Sequence, residues 1–361
     1  MKKTAFYNAH LRNKAKMVEF GGFLMPIQYT SIISEHKTVR NKVGVFDVSH
    51  MGEIFIRGDK ALDFVQRLTI NDASKLKPGR VQYSAMCYES GGVVDDLLVY
   101  MISPTEYLLV VNASNLNKDY EWMVINNKEG VEISNESDEY SLLAVQGPRS
   151  KAVLEKLFGI QLETEYYHFI NHDYNGNNFI ISRTGYTGEL GFEIYFKATE
   201  EEAIEFWDKL FEAGKEEGIE PIGLGARDSL RLEMGYSLYG NDISQDTNPL
   251  EAGLGWITKL NKANDFIGKN ALLEVKKNGL KRKLVPLVIE EKAFPRHGYV
   301  ISYNGESVGE VTSGTVSPIL DKGVALAYVR VDLAELGNTL NMVIRGKEIP
   351  CKVVTLPFIH K

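Results

Sequence analysis

The sequence predicts an α+β protein ending in a small all-β region, and two observations lead there. Helical and strand patterns mix up to about residue 272, and from about residue 284 the chain breaks into short strand-like runs punctuated by Gly, Asn and Pro. Residues 61–68, 200–217 and 224–235 have the apolar spacing of helices, while 141–146 and 178–196 read as strands. Three further runs, 81–88, 93–102 and 107–112, are separated by Gly91-Gly92 and by Ser-Pro-Thr-Glu, which makes them a three-stranded meander. The stretch KKNGLKRK (276–283) reads as a basic linker, giving expected regions of 1–275 and 284–361, the second a β-barrel or a sandwich. Its lysines and Arg282 read either as solvated surface or as a docking patch for an acidic partner.

Composition narrows the function classes. With 44% hydrophobic and 25% charged residues the chain is ordinary globular material, and 48 acidic against 41 basic side chains give a net charge of -7. That balance argues against nucleic acid as a general partner. No apolar run approaches the roughly 20 residues that a bilayer span needs, and basic residues interrupt the first turns before a secretion signal can form. The expectation is a cytoplasmic protein without a membrane partner. Cys87 and Cys351 stand apart from each other and from any histidine cluster, so free, reduced thiols and no metal site are expected.

The middle strand of the meander carries two adjacent carboxylates, Asp95 and Asp96, in an apolar setting. Alternation puts Asp96 on the face of Val94, Leu98 and Tyr100, and Asp95 on the other with Leu97 and Val99. A covered carboxylate must be hydrogen-bonded, paired or shifted toward its neutral form. On the residues alone both also read as structural, one capping a turn and one in an ion pair. In SRTGYTGELGFEIYF (182–196), glycines at 185, 188 and 191 allow close backbone approach and lead into a strand holding Glu193. Their spacing is not the dinucleotide fingerprint, which opens a helix. In the predicted helix 224–235, Arg227 and Arg231 share a face and could grip a dicarboxylate, with an Asp228–Arg231 ion pair as the local alternative. An arginine at a helix start opposes the macrodipole, so Arg227 should have another partner. No nucleophile elbow, metal-spaced cluster or phosphate loop is present in the sequence. Isolated carboxyls among aromatics, with a candidate carboxylate clamp, suit a flat heterocycle bearing an acidic tail.

Six stretches in order, GVFDVSHMGEI (44–54), GGVVDDLLVY (91–100), RTGYTGELGFEI (183–194), ARDSLRLEMGYSLYGND (226–242), NPLEAGLGW (248–256) and GEVTSGTVSPIL (309–320), resemble the T protein of the glycine cleavage system, a tetrahydrofolate-dependent aminomethyltransferase. The resemblance implies a three-domain cloverleaf with two interleaved α+β subdomains in the first region, a C-terminal β-barrel domain and tetrahydrofolate as co-substrate. It implies that Asp96 is the catalytic carboxylate, that Glu193 hydrogen-bonds the pterin and that Arg227 contacts folate. Met51, Tyr83, Val110, Asn112 and Tyr186 match positions lining the folate pocket. The implied partner is the lipoylated H protein, whose aminomethyl group would yield ammonia and 5,10-methylenetetrahydrofolate. In place of a tyrosine common near the family's C-terminus, this chain has His360. Two rivals share the implied fold: a folate-dependent demethylase, and an iron-sulfur accessory protein, whose KGCYxGQE-like motif is here RTGYTGELGFE without the cysteine.

Overall fold

A computed structural model describes residues 1–291 and 293–359, which divide into two compact units. The first comprises Met1–Val65, Ala73–Tyr83 and Leu97–Asp228; the second comprises Gln66–Asp72, Ser84–Asp96 and Ser229–Lys361. The chain passes from one to the other inside the strands Val81–Cys87 and Val93–Ser103.

The first unit contains a six-stranded sheet in the order Phe169–Tyr174, Asn177–Ser182, Gly191–Lys197, Tyr140–Gln146, Val43–Asp47 and Ile219–Pro221, antiparallel except for the last pair. Its core is aromatic. Phe179 stacks on Phe196 with centroids 4.8 Å apart, and Phe206 of the helix Glu200–Ala213 sits 4.7 Å from Phe196. That helix starts on a capping box between Thr199 and Glu202. It stops at Ala213, four residues before the expected 217, because Gly214 leaves the helix and Ile219 N–H bonds back to the Gly214 carbonyl. A second, five-stranded sheet runs Val81–Cys87, Val93–Ser103, Glu106–Val111, Gly52–Arg57, Glu132–Asn135. The predicted meander is therefore present, extended by two strands distant in sequence.

In the second unit six antiparallel strands close a barrel: Arg282–Ile289, Lys322–Arg330, Glu306–Ser317, Val300–Tyr303, Thr339–Ile344 and Lys347–Val353, the last pairing again with the first. Closure resolves the choice between barrel and sandwich. Lys322–Arg330 is buried on both faces, with Ala325, Ala327 and Val329 inside and Val324 and Leu326 packed outside with Leu232 and Phe358. One expectation fails here. Residues 276–283 are not a linker: Lys276 and Lys277 form the last turn of the helix Lys269–Asn278, where cations suit the dipole, and Arg282 opens the barrel. Arg282 bonds both oxygens of Glu251 and stacks 4.6 Å over Tyr328, so that residue is structurally engaged.

Candidate active site

The turn ahead of Asp95 and Asp96 is built so closely that only glycine fits. A Cβ on Gly92 would stand 1.9 Å from the Gln245 carbonyl oxygen, and Gly91 has φ +88°. Val93 N–H bonds the Ser244 and Thr247 carbonyls, and Tyr239 donates to the Val93 carbonyl, which fixes the start of the strand within the second unit. Alternation then separates the two aspartates: Asp95 is fully buried and Asp96 half-buried. Asp96 is the last residue of the second unit's share of the strand.

The seven residues expected to line a folate pocket all belong to the first unit. In its sheet Val110 lies opposite Leu98 on one side and Glu53 on the other, and Leu108 lies between Tyr100 and Phe55. Directly opposed residues share a face, so Leu98, Val110 and Glu53 form one row and Tyr100, Leu108 and Phe55 the next. Gly52 belongs to the other face, where a Cβ would strike Leu116 at 2.5 Å. Met51 precedes Gly52 and Asn112 follows its partner Val111, so both stand at one end of this strand pair, each partly exposed. Tyr83 and Tyr186 are likewise partly exposed, whereas Val110 is buried.

Glu193 is in a network of hydroxyls. Thr184 Oγ1 donates to its carboxylate and is 2.9 Å from Ser182 Oγ and 3.3 Å from the Tyr100 hydroxyl, which is 2.9 Å from the Tyr195 hydroxyl. Burial raises the Glu193 pKa above the ordinary carboxylate value, while the Thr184 bond and the Arg227 charge work the other way. Arg227 stacks 4.6 Å over the Tyr186 ring, the other partner that its position at a helix start calls for.

Supporting residues that sequence reasoning missed hold these groups. Glu35 accepts from the backbone N–H groups of Tyr29, Thr30 and Gly223, the last at 2.8 Å, and so anchors the start of the Arg227 helix, Leu224–Glu233. Gln146 donates to the Thr184 and Phe192 carbonyls and accepts from Thr187 Oγ1. Cβ atoms on Gly185 and Gly191 would lie 2.1 and 2.4 Å from the Gln146 amide, which explains two glycines of the 182–196 stretch. The glycine spacing signalled a close approach but not its target.

The proposed arginine clamp does not form. Arg231 is buried, pairs with Asp242 at 2.7 Å and donates to Ser313 Oγ and the Tyr236 carbonyl. Its partner is Asp242, eleven residues on, because the chain after the helix turns back at Gly235 (φ +73°). Burial pushes both thiols, Cys87 and Cys351, up to about 12, so neither is an activated nucleophile. His360 lies outside the described residues. A cleft of about 550 Å³ in the second unit, lined by Leu250, Thr258, Asn261 and Lys276, contains none of the expected site residues.

Within the first unit, a carboxyl in a hydroxyl network and an arginine on an aromatic ring are groups that suit a polar-edged heterocycle. Residues 6–262 match the family described as GCVT N-terminal domain, and residues 282–360 match the glycine cleavage T-protein C-terminal barrel domain. An aminomethyltransferase of Halothermothrix orenii is 51% identical over 99% of this chain and 100% of its own length; one of Flavobacterium psychrophilum is 50% identical over the whole of both. The crystal structure of glycine cleavage system aminomethyltransferase T from Bartonella henselae, 35% identical, superposes with a TM-score of 0.92 over 99% of this chain and 98% of that one. The chain belongs to the glycine cleavage T-protein family.

Proposed function

We infer that this chain is the tetrahydrofolate-dependent aminomethyltransferase of the glycine cleavage system. It takes the methylene carbon of an aminomethyl group on the lipoyl arm of H protein, releases ammonia and forms 5,10-methylenetetrahydrofolate. The observation that supports this reading best is Glu193, a partly buried carboxyl met by Thr184 and set in one unit with the Arg227–Tyr186 stack. A carboxyl beside hydroxyls suits the hydrogen-bonding edge of a pterin, and the arginine suits the folate's acidic tail.

In the reaction, the C–S and C–N bonds of the aminomethylated arm break and two C–N bonds to folate form. The two N–H protons given up by folate end on the thiol and on ammonia. Asp96, a half-buried strand carboxylate, orients the folate amine that closes the ring and stabilises the positive charge that develops on it. Met51, Tyr83, Val110, Asn112 and Tyr186 line the folate, and positioning of this kind supplies several kcal/mol of barrier lowering. No covalent enzyme intermediate is needed. No described helix is long and apolar enough to cross a membrane. The direct test supplies aminomethylated lipoyl carrier protein and tetrahydrofolate and measures ammonia and methylenetetrahydrofolate. Equal turnover of a methylated amine without the carrier would establish the demethylase instead.

A further inference from the structure

Glu53 is one of the polar groups in the first unit whose surroundings its own chain leaves incomplete, along with His50 Nδ1 and the Tyr107 hydroxyl. It is 1% exposed, and neither carboxylate oxygen has a hydrogen-bond partner. Burial raises its pKa well above the ordinary glutamate value and so favours the protonated form, which has both a donor and an acceptor. Its backbone is fixed: Glu53 N–H donates to Ser137 Oγ at 2.9 Å, and its carbonyl accepts from Glu136 N–H at 3.0 Å. The side chain therefore cannot escape to water by a strand shift. Register places it beside Val110 on the face that also bears Leu98 and Tyr100. Leaving a buried polar group without a partner is unfavourable. A buried group left in that condition calls for an explanation, and a bound ligand is one that would supply the missing partners.

We propose that Glu53 is a further folate-positioning residue, its carboxyl meeting an edge of the reduced pterin where an N–H lies beside a ring nitrogen. A carboxylic acid matches such a donor–acceptor pair with two parallel hydrogen bonds. This assignment rests on the folate reading of the site. It adds a fully buried carboxyl to the partly buried Glu193 and divides the work between them: Glu193 is already engaged by Thr184, while both oxygens of Glu53 remain for ligand.

The test measures tetrahydrofolate affinity by titration, and melting temperature without ligand, for wild type, Glu53→Leu and Glu53→Gln. Glu53→Leu is expected to lose roughly ten- to a hundredfold in affinity, the consequence of ring atoms buried without partners. Its melting temperature stays at or above wild type, because an unpartnered carboxyl has been removed. Glu53→Gln keeps a donor beside an acceptor and restores affinity to within about threefold. Unchanged affinity in Glu53→Leu overturns the proposal, as does a loss accompanied by a lowered melting temperature or a loss that Glu53→Gln does not rescue. If Glu53→Leu does not fold, Glu53→Met supplies a flexible side chain for the same two readings; failure of both to fold makes Glu53 a core residue and overturns the assignment. Wild-type protein that does not bind tetrahydrofolate at all would instead defeat the functional reading on which this one stands.

Discussion

Two buried polar clusters, one in each unit, differ in how completely the protein satisfies them. In the second unit Asp242 is enclosed: its carboxylate accepts from Arg231, Thr312, Ser313 and the Leu238 N–H, and Arg231 in turn reaches Ser313 and the Tyr236 carbonyl. In the first unit neither carboxylate oxygen of Glu53 has a hydrogen-bond partner, and Glu193 is met by Thr184. The saturated cluster has nothing left to offer a ligand and fixes the chain that follows the helix Leu224–Glu233. The unsaturated one is thermodynamically poor as structure and chemically apt as a site. On the proposed reading, binding capacity goes with incomplete internal hydrogen bonding and not with the greatest charge density.

The largest effect should come from the strand aspartates. Asp96→Asn keeps size and most hydrogen bonding while deleting the charge, and turnover at saturating folate and lipoyl carrier should fall roughly 10²- to 10⁴-fold, the range for a positioned acid–base group. Tetrahydrofolate should still bind. Asp95→Asn, at the fully buried position, should change thermal stability more than turnover. The opposite ranking would show that the chemistry uses the other face of the strand.

Next in size is the saturated cluster. Arg231→Met leaves the Asp242 carboxylate buried without its cation and should cost about 3–5 kcal/mol in urea unfolding. A loss below 1 kcal/mol would mean that the three remaining donors suffice and that the cluster is not held by its charge pair. Arg227→Lys should do the reverse. The ammonium cannot reproduce the planar fork or its stacking on Tyr186, so folate affinity should drop about tenfold with the melting temperature nearly constant. A fall in melting temperature with affinity retained would make Arg227 structural and remove the contrast between the two arginines.

Much of this was legible in the sequence where the signals were local. Residues 61–68 form the helix Ala61–Leu68, the meander follows from glycines and alternation, and the same alternation separates Asp95 from Asp96. Features depending on distant pairing were not legible. Glu35 meets Gly223 from 188 positions away, Gln146 meets Thr184 from 38, and barrel closure requires Leu287 to find Val353. The role of Arg231 was misread because its carboxylate partner lies beyond a glycine turn and not on its own helix. Glu53 gave no signal at all, since GEI in a strand looks like an ordinary alternating charge; only its burial without a partner distinguishes it.

The smallest expected effect uses pH to sharpen the same distinction inside the first unit. Asp47 is a satisfied carboxylate there: burial opposes its charge, but His10 at 2.9 Å, together with Ser49 and Thr4, outweighs burial and lowers its pKa. Its stabilising contribution is present above the unfolded aspartate value, about 3.9, and is lost as pH falls through the lowered folded value. Glu53 has the opposite sign. Because burial raises its pKa, the folded protein binds more protons than the unfolded chain above the unfolded glutamate value, about 4.3, so its contribution is full below that pH and declines as pH rises through the folded value. Urea unfolding of ligand-free protein from pH 3 to 9 should therefore show a steeper acid limb in wild type than in Asp47→Asn, and a decline above about pH 4.3 that flattens in Glu53→Gln. A Glu53→Gln curve parallel to wild type above pH 5 would mean that the carboxyl is ionised and solvated in solution, and the contrast between satisfied and unsatisfied groups would then fail at the residue where it is drawn most sharply.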